Sequence, residues 1–422
     1  MPMLKAFEKR LHSILRDVIR EFGTPFYIYD ERGIIENGEA LEATFADFYG
    51  FQEFFAVKAC PNLEILKIMR RIGFGFDCSS TPELIMSKWH VGASGEDIIF
   101  TSNNTSLEEF KTAEETNCIL NLDDITMIPK VPKFPKLICF RYNPGQFRTG
   151  SQFIGNPVEA KYGIRDDQII EAYRQARERG ALHFGLHTMI YSNQLDYTYM
   201  LETVRMLLKI AERIHYIGIP LDFINIGGGI GIPYRPQQTP FNMPAFADES
   251  RKLLEGFRER FDFVPKFFME CGRYITGPYG VLVATVINRM SKYREYVGLD
   301  ACMSALMRPA IYGAYHHITV LGGEERPIKV VDVIGSLCEN NDKFAKQREL
   351  PETKEGDIVI IHDAGAHGYA MGFNYNGRLR PKELLLCQNG DVKLIRREEH
   401  VQDYLKTFDF EPRTIKPKKD EV

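Results

Sequence analysis

Three side chains in this sequence have the types and surroundings needed for chemistry on a carbonyl compound. Lys58 interrupts the apolar, β-leaning run Phe54-Phe55-Ala56-Val57, and Pro61 stops that run, so a short buried strand carries an amine at its C-terminal end. Burial removes hydration from the ammonium form, lowers its pKa and makes the amine a usable nucleophile. The plainer reading is a buried stem with a head that reaches water. Glu270, in Met269-Glu270-Cys271-Gly272-Arg273-Tyr274, ends another apolar run and stands three residues before an arginine it could simply pair with. A carboxylate facing a pyridine nitrogen keeps that nitrogen protonated, and an amine together with such a carboxylate points to pyridoxal 5'-phosphate as cofactor. Cys338 stands beside Glu339 and Asp342 in a loop after a strand. For these three the plain readings are a structural thiol and solvated acids.

Other segments supply binding groups. Gly227-Gly228-Gly229-Ile230-Gly231 follows a strong strand, and glycines let backbone amides approach a phosphate closely. The spacing is not Gly-x-Gly-x-x-Gly and Pro233 follows, which disfavours a dinucleotide fold. Arg308-Pro309-Ala310-Ile311-Tyr312 offers a guanidinium for carboxylate recognition and a phenol four residues on. Asp363-Ala364-Gly365-Ala366 is a glycine-bearing turn, and Tyr375 lies in the loop Phe373-Asn374-Tyr375-Asn376-Gly377-Arg378.

The elements that must position these groups alternate. A helix over 5–22 and a strand over 24–29 come first, followed by strands near 54–58, 75–78, 97–100, 118–121, 137–141, 184–190, 222–226 and 267–270, with helices between them. Thr81 reads as the cap of a helix with Pro82 at its first position. Eight strand-helix units are what a parallel barrel ringed by helices requires, and residues at the strands' C-terminal ends then face one site. Lys58, Asp77, Asn103, Arg141, His187, Gly227 and Glu270 fall at those ends. After Arg273 the runs at 281–286, 328–333, 357–361 and 383–386 are short and β-rich, predicting an all-β domain of sandwich or barrel type. The expected division is 1–30 joining the β-domain, 31–275 as the barrel, and 276–422 as the β-domain.

The bulk properties exclude several classes. The 422 residues are 44% hydrophobic, enough for two cores, and the net charge of -4 from 53 basic and 57 acidic residues leaves no basic stripe for nucleic acid. Eight cysteines with no Cys-x-x-Cys pair predict reduced thiols and a cytoplasmic location. No uninterrupted apolar leader or membrane-spanning stretch is expected.

Taken in order, Phe-x-Val-Lys58-Ala, Phe76-Asp77-Cys78-Ser79-Ser80-x-x-Glu83-Leu84, the 227–231 turn, Glu270-x-Gly272-Arg273-Tyr274, Arg308-Pro309-x-x-Tyr312, Cys338-Glu339-x-x-Asp342 and Tyr375-Asn376-x-x-x-Arg380-Pro381-x-Glu383 resemble the fold-type III pyridoxal phosphate decarboxylases, and among them the diaminopimelate decarboxylases. The resemblance runs from about Gly23 to Leu386. It implies an α/β (β/α)8 TIM-type barrel of the alanine racemase kind with a C-terminal β-sandwich or β-barrel domain. It also implies that Lys58 holds the cofactor covalently and that Glu270 faces its ring nitrogen. Asp77, His187, Gly227, Gly228, Gly229, Gly272, Arg273 and Tyr375 line the cofactor site. Arg273, Arg308, Tyr312, Glu339, Asp342 and Tyr375 are the implied contacts of a small amino-acid substrate, and Cys338 the proton donor. An obligate homodimer with shared sites follows from the same likeness. The implied reaction is decarboxylation of meso-2,6-diaminopimelate to L-lysine and CO2.

One stretch departs from the family pattern Gly-Leu-His-x-His-Ile-Gly-Ser-Gln: the chain reads Gly185-Leu186-His187-Thr188-Met189-Ile190-Tyr191-Ser192-Asn193. Met189 stands where a histidine stacks on the cofactor ring, and a thioether packs on an aromatic face without the polar contact. Tyr191 replaces a glycine, Cys271 a proline and His367 a tyrosine. These changes admit a decarboxylase of another diamino acid, D-configured ones included, or of a specialised-pathway amino acid. A racemase is disfavoured by the Cys-Glu-x-x-Asp loop, and a noncatalytic binding homologue by retention of Lys58, Glu270 and Cys338.

Overall fold

The computed structural model describes residues 4–150 and 155–413; residues 1–3 and 414–422, which belong to the two terminal expected spans, lie outside the described residues. Helix α1 (Lys5–Phe22) is amphipathic and leads through Gly23 into strand β1 (Phe26–Asp30). After helix α2 (Glu31–Thr44) come eight strands: β2 (Gln52–Ala56), β3 (Gly75–Cys78), β4 (Ile98–Ser102), β5 (Ile119–Leu122), β6 (Leu137–Arg141), β7 (His183–His187), β8 (Phe223–Asn225) and β9 (Lys266–Met269). They close in chain order into a parallel barrel, β9 pairing back onto β2. The outer helices are α3 (Leu63–Ile72), α4 (Thr81–Ile85), α5 (Leu107–Thr116), α6 (Ile169–Glu178), α7 (Tyr197–His215) and α8 (Met243–Phe261).

Strand alternation builds this barrel. Phe54, Ile99, Ile119, Cys139, Phe223 and Phe268 meet as one buried cluster, contributed by β2, β4, β5, β6, β8 and β9. Residues of the opposite parity, such as Phe55, Phe76 and Phe100, pack with the helices in the main core.

The expected helix after β5 is a 3-10 segment over Ile125–Lys130 instead. Pro129 within it and Pro132 and Pro135 after it remove the amide donors a longer α-helix needs. Thr81 is not a cap: it is the first residue of α4, and Ser80 precedes it in extended backbone. Lys58 lies just past β2 in a 3-10 turn, Val57–Ala59, rather than in the strand itself.

Beyond the barrel, α9 (Arg273–Thr276) leads into a mixed sheet of nine strands. β1 is its junction, antiparallel to β10 (Gly280–Ser291) and parallel to β16 (Lys382–Leu386). The sheet continues through β11 (Glu295–Leu299), β13 (Ile328–Ile334) and β14 (Lys343–Pro351) on one side and β17 (Val392–Arg396) on the other, while β15 (Ile358–Ile361) attaches to β10 and β12 (Ile318–Val320) to β15. Phe7, Leu11, Leu15 and Val18 of α1 cover one face against Ile28, Val283 and Leu384. Four of these strands escaped sequence reading. Charged residues interrupt β14 and β17, β11 is broken by Gly298, and β12 is only three residues long.

Among the described residues no helix is long and apolar enough to cross a membrane, and no cluster of His, Cys, Asp and Glu could hold a metal. All eight cysteines are unpaired thiols.

Candidate active site

The strand C-termini converge as the barrel requires. The Lys58 Nζ sits 2.9 Å from Asp77 Oδ2 of β3; the lysine side chain is 49% exposed and the aspartate 2%, so the amine opens into a cavity from a buried anchor. Burial pulls the ammonium pKa down, and the Asp77 and Glu270 carboxylates outweigh that, leaving it above its ordinary value. The depressed lysine expected from desolvation alone is therefore corrected: two nearby acids decide the sign. Burial, then Glu270, push Asp77 up against the opposing pull of Lys58.

Glu270 does not pair with Arg273. His187, at the end of β7, places Nε2 3.1 Å from Glu270 Oε2, and the Asn225 amide at the end of β8 donates to Oε1 at 2.7 Å. The Asn121 amide lies 3.0 Å from His187 Nδ1, so the imidazole orients the carboxylate from a fixed position. Burial raises Glu270, but His187, Lys58 and Asn225 together hold it below the usual carboxylate range. Behind it, Glu53 of β2 accepts the Cys271 amide hydrogen at 2.5 Å and locks the strand end that presents Glu270.

The glycine turn approaches this strand end as closely as backbone can. A Cβ on Gly228 would stand 2.2 Å from the Glu270 carbonyl oxygen, and Gly227 and Gly229 both adopt positive φ. The Asn225 side chain accepts the Gly227 amide at 2.8 Å, so one asparagine fixes both the turn and the acid.

Two lobes share Lys58, Asp77, Met189 and Glu270. The first, about 230 Å³, is completed by Gly228, Gly229, Gly272, Arg273, Arg308, Tyr312 and His367. The second, about 500 Å³, is lined by Asn103, Arg141, Lys161, Tyr162 and His187. Met189 borders both, and its carbonyl accepts from Arg141 at 3.2 Å. Tyr191 turns away instead, its ring 4.8 Å from that of Tyr199 on α7. Helix α10 (Arg308–Tyr312) carries Arg308 into the first lobe.

The remaining anticipated residues are not brought there. Cys338 is exposed and its amide donates to Asn376 Oδ1 at 2.8 Å, while Tyr375 is 49% exposed. Glu339 turns to its own loop, accepting from Asn341. Asp342 is buried, and its two oxygens accept the amides of Met303 at 2.6 Å and Leu337 at 2.8 Å. Its place is inside the base of the Cys338 loop, so in this chain it shapes that loop rather than facing the cavity. Sequence reading missed Asn225, Ser192, which lines the first lobe, and Tyr234 and His316, which contact Arg308; a polar residue closing an apolar strand before a glycine turn was the available signal for Asn225.

The residues of the first lobe fit pyridoxal phosphate: an amine, a buried ionised carboxylate, a glycine cradle that a single Cβ would fill, and two guanidiniums that form no ion pair among the described residues.

Comparison with known proteins agrees. Residues 33–277 match the family model described as "Pyridoxal-dependent decarboxylase, pyridoxal binding domain". The chain is 45% identical over 414 residues to "Protein TabA" of Pseudomonas amygdali pv. tabaci, covering 98% of this chain and 97% of the relative. It is 35% identical over 408 residues to the diaminopimelate decarboxylase of Methanothermobacter thermautotrophicus, covering 94% of each. The solved diaminopimelate decarboxylase of M. jannaschii in complex with L-lysine superposes with a TM-score of 0.87 at 28% identity over 94% of both chains. A barrel with its amine, acid and glycine cradle in these positions, and relatives that match along nearly the whole chain, lead to one conclusion: the chain belongs to the pyridoxal-dependent decarboxylases.

Proposed function

We propose that the chain removes CO2 from the α-carbon of a diamino acid that carries a second carboxylate, meso-2,6-diaminopimelate being the substrate its relatives' names indicate. The observation that carries this reading is the pair of acid-free guanidiniums, Arg273 and Arg308, on the lobe that also holds Lys58 and Glu270. One suits the cofactor phosphate beside the glycine turn. The other then remains for a substrate carboxylate.

Bound pyridoxal phosphate supplies the electron sink for the pair left behind when the carboxylate departs. Lys58 holds the cofactor and, beside Asp77, has a carboxylate within reach to exchange its proton. Glu270, kept ionised by His187 and Asn225, holds a proton on a basic ring nitrogen. Gly227, Gly228, Gly229, Gly272 and Arg273 receive the phosphate, and Tyr312 joins Arg308 at the substrate's distal end. Cys338, Glu339 and Tyr375 lie outside the cavity of their own chain, so the proton returned to the α-carbon by the Cys338 thiol comes from the same loop of a second copy. The active unit is a homodimer with shared sites.

A second reading is a related diamino acid of other configuration or from a specialised pathway. Met189 on both lobes supports it, and so does the 45% relative, whose name is not that of a diaminopimelate decarboxylase. CO2 release across diamino acids of both configurations decides between the two. Preference for meso-diaminopimelate supports the first reading; preference for another member supports the second. Release from none sinks both.

A further inference from the structure

Arg273 and Arg308 begin two separate helical segments, α9 and α10, yet they meet on one atom. The Tyr234 phenol oxygen accepts Nη1 of Arg273 at 2.5 Å and Nη1 of Arg308 at 2.9 Å. The two guanidiniums also lie 5.7 and 4.7 Å from the centre of its ring. Tyr234 is only 5% exposed, so this is a built feature behind the two arginines that line the first lobe.

Behind Arg308 stands a second acceptor. His316 Nε2 lies 2.9 Å from the same Nη1, and its Nδ1 is 2.8 Å from the His362 carbonyl oxygen. An arginine can only donate and a carbonyl can only accept, so the imidazole is neutral with its hydrogen on Nδ1. Burial first, then Arg308, lower His316 to about 3, which keeps that form throughout the neutral range. Burial also lowers Arg308, with Arg273 adding to the effect and the Tyr234 phenol opposing it.

Two like charges on one acceptor repel each other, and neither has an acid within 4.0 Å among the described residues. Anions supplied by ligands relieve that repulsion. Flexible arginine side chains would otherwise settle at many separations; the shared oxygen allows one.

We propose that Tyr234 is a positioning residue that fixes the separation of the two guanidiniums, with His316 bracing Arg308, so that the pocket selects substrates whose second carboxylate reaches Arg308 while the cofactor phosphate holds Arg273. This rests on the reading of the two arginines given above and adds the device that links them. The selected class is an amino acid with a distal carboxylate, against one of similar length that lacks it.

Tyr234→Phe removes the shared oxygen and keeps the ring. In the cofactor arm, apo protein is titrated by absorbance with pyridoxal phosphate and with pyridoxal. The variant's Kd for the phosphate form rises about tenfold, as expected for losing a hydrogen bond to a charged group, while that for pyridoxal is unchanged. In the substrate arm, KM for meso-diaminopimelate rises about tenfold with kcat within about threefold, and discrimination against D-lysine, which keeps the D-configured reacting end and lacks the second carboxylate, falls by a similar factor. His316→Leu reproduces the substrate arm alone, and His316→Gln, which retains an acceptor, restores it.

Tyr234→Phe protein with an unchanged pyridoxal phosphate to pyridoxal ratio and an unchanged KM overturns the proposal. Equal weakening of both cofactor forms also overturns it, since that marks general loosening. If the wild-type chain turns over no diamino acid, the substrate reading fails by itself, and the cofactor arm still decides the role of Tyr234.

Discussion

Lys58 and Glu270 are separated by most of the barrel sequence, and their chemistry depends on third parties. The Lys58 amine is raised by Asp77 and Glu270 against burial, so it stays protonated until an incoming carbonyl group or a base alters the balance. Lys58→Ala should abolish covalent cofactor retention, read as loss of the borohydride-sensitive visible absorbance, and lower CO2 release by about 10² to 10⁴-fold. Wild-type turnover in that variant would remove Lys58 from the mechanism. Glu53 allows a pH test. Burial raises its carboxyl well above the ordinary range, against the Cys271 amide that it accepts. Between the unfolded and folded pKa values the native state binds a proton that the unfolded chain has lost. Glu53 therefore costs stability as pH rises through that window, and below it the cost is absent. Glu53→Gln should flatten the part of the Tm-against-pH curve that lies above the ordinary carboxylate range. Parallel curves for the two proteins would show that Glu53 titrates normally.

At the scale of elements, the 227–229 turn and the Cys338 loop do opposite things with backbone amides. The turn presses against the end of β9, and a Cβ at position 228 has no room. Gly228→Ala should destabilise the protein by about 1–3 kcal/mol and weaken pyridoxal phosphate binding, measured by chemical denaturation and absorbance titration. An Ala variant with unchanged stability would mean that the turn yields freely. In the Cys338 loop, Asp342 gathers two amides into the base. Asp342→Ala leaves both donors buried without a partner, at a cost of about 1–3 kcal/mol. If Cys338 delivers the proton, kcat should fall while the Kd for pyridoxal phosphate stays constant. A fall in cofactor affinity instead would place Asp342 at the cofactor site.

At the scale of the molecule, Glu383 of the sheet accepts the Tyr29 hydroxyl at 2.6 Å and the Asn62 amide at 2.9 Å, and pairs with Arg396. Asn62 also caps α3, four residues after Lys58, so the sheet domain holds the turn that presents the amine. The single chain leaves Cys338 away from the first lobe, which makes assembly the deciding question. Equimolar mixing and re-association of Lys58→Ala and Cys338→Ala subunits should regenerate roughly a quarter of wild-type activity, because each mixed dimer keeps one intact shared site. No recovery from the mixture would confine each site to one chain.

The strand-helix rhythm was legible because apolar runs and helical spacing repeat locally eight times, and a parallel barrel closes in chain order. The same locality made Lys58, Asp77, His187 and Glu270 readable, since each ends an apolar run. Strands β11, β14 and β17 were not, although each pairs with the strand just before it, because charged residues or a glycine break up their apolar runs. Tertiary structure alone decided that Glu270 answers to His187 and Asn225 rather than to Arg273 three residues on, that Asp342 serves a loop, and that Tyr234 joins two arginines. A side chain's type and position are local, whereas the partner that sets its charge and direction comes from wherever the fold brings one within about 3 Å.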